Sequence, residues 1–248
     1  MSEQLLNAIL RLFAAVARED EVTHQERSQI KTFLEEHVSY SAVETYLKVF
    51  DEFAHNLTPK SNEKPTDTER VSDLCRKVNA DLTQKQKIVI VLEIINIIQA
   101  DGRISEREKE LVNVIASEFK IEYREIQAIM KFVLGKTQMQ LDDPQLLIIG
   151  SARETTLQHS HHIFRDHLNG YIAILYVAQA EFYFTKYVGK SDVYLNGVPV
   201  KSGRIAVLAV GSMLRWEKDE PVYYGDVLNK FKKFGKYPRL TFEGRNIS

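Results

Sequence analysis

Apolar residues recur at three- and four-residue spacing over 5–16, 30–38, 43–53, 88–98, 111–119 and 126–134. That is the spacing of one face of an α-helix. It predicts a run of helices through residue 135, with Gly135 following the last stripe as a stop signal. Residues 56–67 are polar and contain two prolines, so a loop is expected there. After residue 136 the period changes. Residues 145–150, 171–177, 181–187, 192–200 and 204–216 are rich in Val, Ile, Tyr and Phe with alternation, and predict strands. Asn196-Gly197 lies between VYL and VPV, a pair suited to a hairpin turn with positive φ at both central residues. The fold class read from this pattern is α+β multidomain. An all-helical domain over 1–135 is followed by a linker and first strand over 136–170, then a small β-sandwich over 171–239.

Composition changes this picture little. Of the 248 residues, 44% are hydrophobic and 27% charged, ordinary for a globular chain. The single cysteine, Cys75, cannot form an internal disulfide and reads as a small core residue in a reducing compartment. The apolar opening, Leu5 to Val16, lacks a basic start and a small-residue cleavage site, so it reads as a helix rather than a leader. The most apolar stretch, Ile88 to Ile98, is interrupted by Glu93 and is too short to span a bilayer. A soluble, cytoplasmic chain is expected. The net charge of −1 conceals an asymmetry: residues 1–135 hold 18 Lys/Arg against 23 Asp/Glu, and residues 136–248 hold 15 against 11. The two halves are therefore suited to different partners or to packing on each other.

The helical half contains an internal repeat. DEVTHQERSQIKTFL at 20–34 aligns with DGRISEREKELVNVIA at 101–116, pairing Thr23 with Ser105, Glu26 with Glu108, Ile30 with Val112 and, after a one-residue gap, Asp20 with Asp101. Each copy has the S/T-x-x-E spacing of a capping box, and the preceding aspartate suits the positive end of a helix. Helix initiation accounts for most of this pattern. A metal reading competes with it. Asp101, Gly102 and Glu108 have the spacing of part of a calcium-binding EF-hand loop, but Ile97 would occupy a ligand position and cannot ligate, so that motif fails. Ligation across the two copies stays open.

The run Ala100-Asp101-Gly102 to Glu108, with its diverged earlier copy, resembles the TerB-like tellurite-resistance family and the related helical domain of some DnaJ-like co-chaperones. The resemblance covers about residues 1–135. It implies an all-helical fold of two pseudo-repeats and divalent-cation (Ca or Mg) binding by acidic residues, here Asp20, Glu26, Asp101 and Glu108. The first copy departs from the pattern, with Glu21 where the second has Gly102.

In the β half, Ser191-Asp192-Val193-Tyr194-Leu195-Asn196-Gly197 and Gly211-Ser212-Met213-Leu214 resemble the second half of a forkhead-associated domain. The family's phosphothreonine-reading Gly-Arg…Ser…His signature is missing, so packing or docking is expected of this unit. Gly189-Lys190-Ser191 is no P-loop, because Phe184 stands where the first glycine is required and the flanking pattern is a strand. No H-E-x-x-H, G-x-S-x-G or paired CxxC is present, so no catalytic site is expected. The cluster His159, His161, His162 and His167 fits no standard ligand spacing and reads as an exposed linker. The basic-aromatic run Lys230 to Arg239 reads as a solvated face, and the overall charge gives no nucleic-acid footprint.

The closing residues 240–248, LTFEGRNIS, resemble the opening strand of an ATP-binding-cassette domain. The order of a TerB-like unit, a forkhead-associated-like unit and a cassette resembles a family of Bacteroidetes-type ABC transporter proteins. That resemblance implies a non-catalytic regulatory or interaction module of a transport ATPase. Its partners would be the downstream ATPase and membrane domains of the same polypeptide, which would supply ATP binding and membrane association, and other proteins; a homodimer stays open. The alternative is a stand-alone, metal-binding stress protein of the TerB type.

Overall fold

The computed structural model describes residues 3–17, 22–56, 67–151 and 157–232. Among the described residues seven α-helices precede the strands: α1 (Glu3–Ala17), α2 (His24–His37), α3 (Tyr40–Asn56), α4 (Asp67–Asn79), α5 (Gln84–Ile98), α6 (Glu106–Glu118) and α7 (Tyr123–Leu134). The fold is α+β, as the change of period predicts. Helix α5 is the axis of the bundle. Its Ile88, Ile90, Val91, Leu92, Ile94, Ile95, Ile97 and Ile98 are buried, so it is apolar on nearly every side. It packs against α1, α2, α6 and α7. A helix hydrophobic all round belongs inside a protein. At 15 residues it is short of a bilayer, and among the described residues no helix is long and apolar enough to cross a membrane. Cys75 on α4 is fully buried, and burial pushes its thiol up to about 12, so it packs as an unreactive hydrophobe.

The strands form two sheets. The first joins β1 (Leu146–Gly150), β2 (His161–Phe164), β3 (Gly170–Val177), β4 (Phe182–Gly189) and β7 (Ile205–Val207) in the order β2-β1-β3-β4-β7. The second joins β5 (Tyr194–Leu195), β6 (Val198–Pro199), β8 (Met213–Arg215) and β9 (Val222–Tyr223) in the order β6-β5-β8-β9, and α8 (Tyr224–Phe231) follows. The β5–β6 turn is the expected one: Asn196 and Gly197 have φ of 53° and 84°. The stretch 136–170 contains two full strands. His161-His162-Ile163-Phe164 is not an exposed linker; it is β2, parallel to β1 and edging the larger sheet. Its histidines are half-buried, and strand alternation there is too short and too polar to be seen in the sequence.

The larger sheet is buried on both faces, which its pleat makes explicit. Leu146 and Ile148 of β1, and Tyr171, Ala173, Leu175 and Val177 of β3, join the core of the helices. The alternate residues Leu147, Ile149, Ile172 and Ile174 point the other way, into a second core with Leu214, Trp216, Val222 and Val227 of the smaller sheet and α8. The result is three layers: helices, sheet, sheet. The described residues share one core across the junction of the helical and β units, because both faces of β1 and β3 carry large apolar side chains.

One charged residue sits in that junction. Lys186 of β4 has the same parity as Phe184 and faces the helices with 5% of its surface exposed. Its Nζ donates to the carbonyls of Phe132, Val133 and Gly135 at 2.5, 3.1 and 3.1 Å and lies 5.4 Å from the centre of the Phe132 ring. These are the carbonyls left over at the end of α7, where the helix dipole is negative. Burial lowers the ammonium to about 8, and the carbonyls work against that loss of charge. Replacing Lys186 by Met would leave the helix end without its donor, and denaturation should show a loss of roughly 1–3 kcal/mol at neutral pH. The pH dependence has a definite sign. From about 8 up to 10.5, the ordinary value for lysine, the unfolded chain holds the Lys186 proton and the folded chain does not, so wild-type stability gains with pH across that window. Lys186→Met should lack this gain; a parallel slope in both proteins would contradict the assignment.

Candidate cation site at the paired helix starts

The two repeat copies start helices α2 and α6 in the same way. Thr23 caps α2: its Oγ1 accepts from the Glu26 N–H at 3.2 Å, and Glu26 Oε2 accepts from the Thr23 N–H at 2.7 Å. Ser105 caps α6 with the same reciprocal pair, 3.1 Å to the Glu108 N–H and 2.7 Å from the Ser105 N–H to Glu108 Oε2. Both boxes are therefore present as the sequence predicts. A third box, at the start of α5, uses Thr83 and Gln86. It makes the same backbone bonds at 3.3 and 2.9 Å with a neutral amide. Capping at these helices therefore needs an oxygen, not a charge.

Glu26 and Glu108 are nonetheless carboxylates, and both are buried, at 4% and 6% exposure. Burial raises the Glu26 carboxyl above 4.5; its bonds to Thr23 pull it back, and the negative charges of Glu108 and Asp101 push it up again. The fold thus brings Glu26, Asp101 and Glu108, which are up to 82 positions apart in the chain, within electrostatic reach. Asp101 sits in the exposed turn before α6, where its Oδ1 accepts from the Arg103 N–H at 2.8 Å and Gly102 takes φ of 84°. That φ requires glycine in this tight turn. The fourth expected residue, Asp20, lies outside the described residues, as does Glu21. Among the described residues, no group of three or more His, Cys, Asp or Glu is gathered closely enough to hold a metal ion as it stands.

A model of the family described as tellurite resistance protein TerB matches residues 6–131. The chain belongs to this family. The TerB match runs from the first turn of α1 into α7 and contains both capping boxes and the acidic residues between them. No curated protein and no solved structure matches the chain.

Other candidates resolve into structural roles. Gly189 ends β4 where a Cβ would lie 2.2 Å from the Asn169 carbonyl oxygen, and the Ser191 hydroxyl accepts from the Asn169 N–H at 2.9 Å. That glycine serves close packing of a hairpin end, with no phosphate cradle. His159 pairs with Asp142 at 3.0 Å and His167 with Asp219 at 3.2 Å, so these two histidines have separate carboxylate partners. His161 stacks edge-on against Phe231. The run 240–248 lies outside the described residues. Two residues of consequence carry weak sequence signals: Glu93 is a lone acid in an apolar helix, and Lys186 is a lone cation at an inward strand position.

The capping and charge roles of Glu108 separate by substitution. Glu108→Gln should fold like the Thr83–Gln86 box, within about 0.5 kcal/mol of wild type in metal-free buffer. Glu108→Ala removes the acceptor for the Ser105 N–H and should cost roughly 0.5–2 kcal/mol. Equal losses for both in urea denaturation would mean that the charge itself holds α6.

Proposed function

We propose that this chain is a non-catalytic regulatory module whose TerB unit takes a divalent cation between the starts of α2 and α6. One observation carries the reading. Two buried carboxylates from distant copies of a repeat face each other's charge at helix starts that a neutral Gln caps equally well elsewhere in the same molecule. Hard cations such as Ca²⁺ and Mg²⁺ seek carboxylate oxygens. Glu26, Asp101 and Glu108, with Asp20 as the matching residue of the first copy, are the oxygen donors the repeat supplies. The shared core supports a regulatory role. An ion that tightens α6 acts on a bundle whose neighbours α5 and α7 carry the sheet.

The wider setting follows the resemblance of the whole chain to the front end of Bacteroidetes-type ABC transporter proteins. In this reading the TerB unit and the β unit precede an ATP-binding cassette and dock on it or on a further protein, and ATP chemistry lies outside this chain. The chain alone should then neither bind nor hydrolyse ATP. The alternative, a stand-alone cation-binding stress protein, shares the same cation site.

The decisive measurement is thermal unfolding of wild type and of Asp101→Asn/Glu108→Gln, each with chelator and with millimolar Ca²⁺ or Mg²⁺. Mass action predicts a higher midpoint in wild type with at least one ion, by about 2.7 kcal/mol of added stability when the ion is at 100 times its Kd. The double variant should show no ion-dependent rise. Identical wild-type midpoints with and without ions would sink the cation reading. The coding sequence after residue 248 tests the setting: a G-x-x-x-x-G-K-[ST] motif is expected there, and a stop codon would favour the stand-alone alternative.

A further inference from the structure

A second polar site opens where the helices meet the β unit. It is a cavity of about 420 Å³ that neither half of the molecule forms alone. Helix α5 supplies Glu93 and Asn96, its C-cap supplies Gln99, α2 supplies Gln29 and Glu36, and the loop before β7 supplies Lys201 and Arg204. The loop is held in place. The Gly203 N–H donates to the Tyr187 carbonyl at 2.7 Å, the Ser202 hydroxyl accepts from the Gly189 N–H at 3.1 Å, and Arg204 pairs with Glu36 of α2. The cavity therefore has fixed walls, and its size falls within the range of small-molecule sites.

Its charges are arranged in two groups. The helical side presents Glu93, whose carboxyl burial raises and the Asn96 side chain partly offsets. An ionised Glu93 would gain most from a cation placed beside it. The amide side chains of Gln29, Asn96 and Gln99 add donors and acceptors on the same two helices. The β side presents two cations, Lys201 and Arg204, the latter already sharing its charge with Glu36. A neutral polyol would leave both charge groups unmatched. A polyamine would suit Glu93 but meet repulsion from the loop. A plain anion would suit the loop but meet Glu93.

We propose that this cavity binds a small zwitterion of the free α-amino acid class, with its ammonium against Glu93 and the α5 amides and its carboxylate toward Lys201 and Arg204. Such a ligand satisfies both ends and bridges the TerB unit to the β unit. The proposal does not depend on the cation reading, since none of the repeat carboxylates lines this cavity.

The test uses the full chain at pH 7.5 in chelator. Each proteinogenic L-amino acid is added at about 5 mM in thermal-shift measurements, with sorbitol and spermidine as comparison ligands. Those that raise the midpoint go on to calorimetry. At least one amino acid should bind, and its methyl ester and N-acetyl derivative should each bind about tenfold more weakly or worse, because each loses one of the two charges. Glu93→Gln, which keeps the shape of the side chain and removes its charge, should weaken binding about tenfold. Lys201→Glu, an exposed loop change, should do the same with an unchanged circular dichroism spectrum, so the result does not rest on one variant folding. The proposal is overturned if no amino acid shifts the midpoint, if sorbitol or spermidine binds in preference, or if the blocked derivatives or both variants bind as well as their parents.

Discussion

The structure depends on one buried contact, the packing of the larger sheet's helix-facing side against the end of α7. Leu175, Val177 and Phe184 belong to the apolar core shared with the helices, and Lys186 supplies the polar part of the contact by closing off the carbonyls of Phe132, Val133 and Gly135. A helix end pressed against a sheet would otherwise bury unsatisfied acceptors. A lysine is suited to this because its ammonium has three donors and a flexible stem. No carboxylate takes part in these bonds. The negative end of the helix does the neutralising. This choice ties the junction of the helical and β units to a group that titrates.

Other features follow from that docking. Strand β7 pairs with β4 through Phe184, Thr185 and Lys186, so the loop ahead of β7 is delivered to α2 and α5. The Arg204–Glu36 ion pair and the polar cavity beside Glu93 exist because β4 is anchored next door. On the opposite face of the sheet, Tyr183 packs among Tyr176, Tyr224 and Phe231, which fastens α8 to β3 and β4. Burial and the neighbouring Tyr176 hydroxyl keep the Tyr183 hydroxyl protonated well past the ordinary range for tyrosine.

The TerB unit shows how one local device serves two ends. A capping box stabilises a helix start whether its third residue is Glu or Gln, and this chain uses both. Retaining Glu at the two repeat positions places buried negative charge where Asp101 and the partner copy add more. In the proposed reading a cation would offset that charge, and the same residues would both start the helix and bind the ion.

The local features of this protein were legible in its sequence. The stripes of α1 to α7, the boxes at Thr23 and Ser105, the Asn196-Gly197 turn and the change from helix to strand all depend on residues within a few positions of one another. Backbone geometry writes such features directly into spacing. Strand β2 was not legible, because four residues with two histidines carry no readable alternation and gain their conformation from pairing with β1. Periodicity shows that β1 and β3 are apolar on both faces, but not what covers each face. The reach of Glu26 to Glu108, the seating of Lys186 on α7 and the joining of Glu93 to the 201–204 loop involve residues from 51 to 111 positions apart. Such distances are set only when the layers pack, since charge and burial act through space while sequence patterns act along the chain.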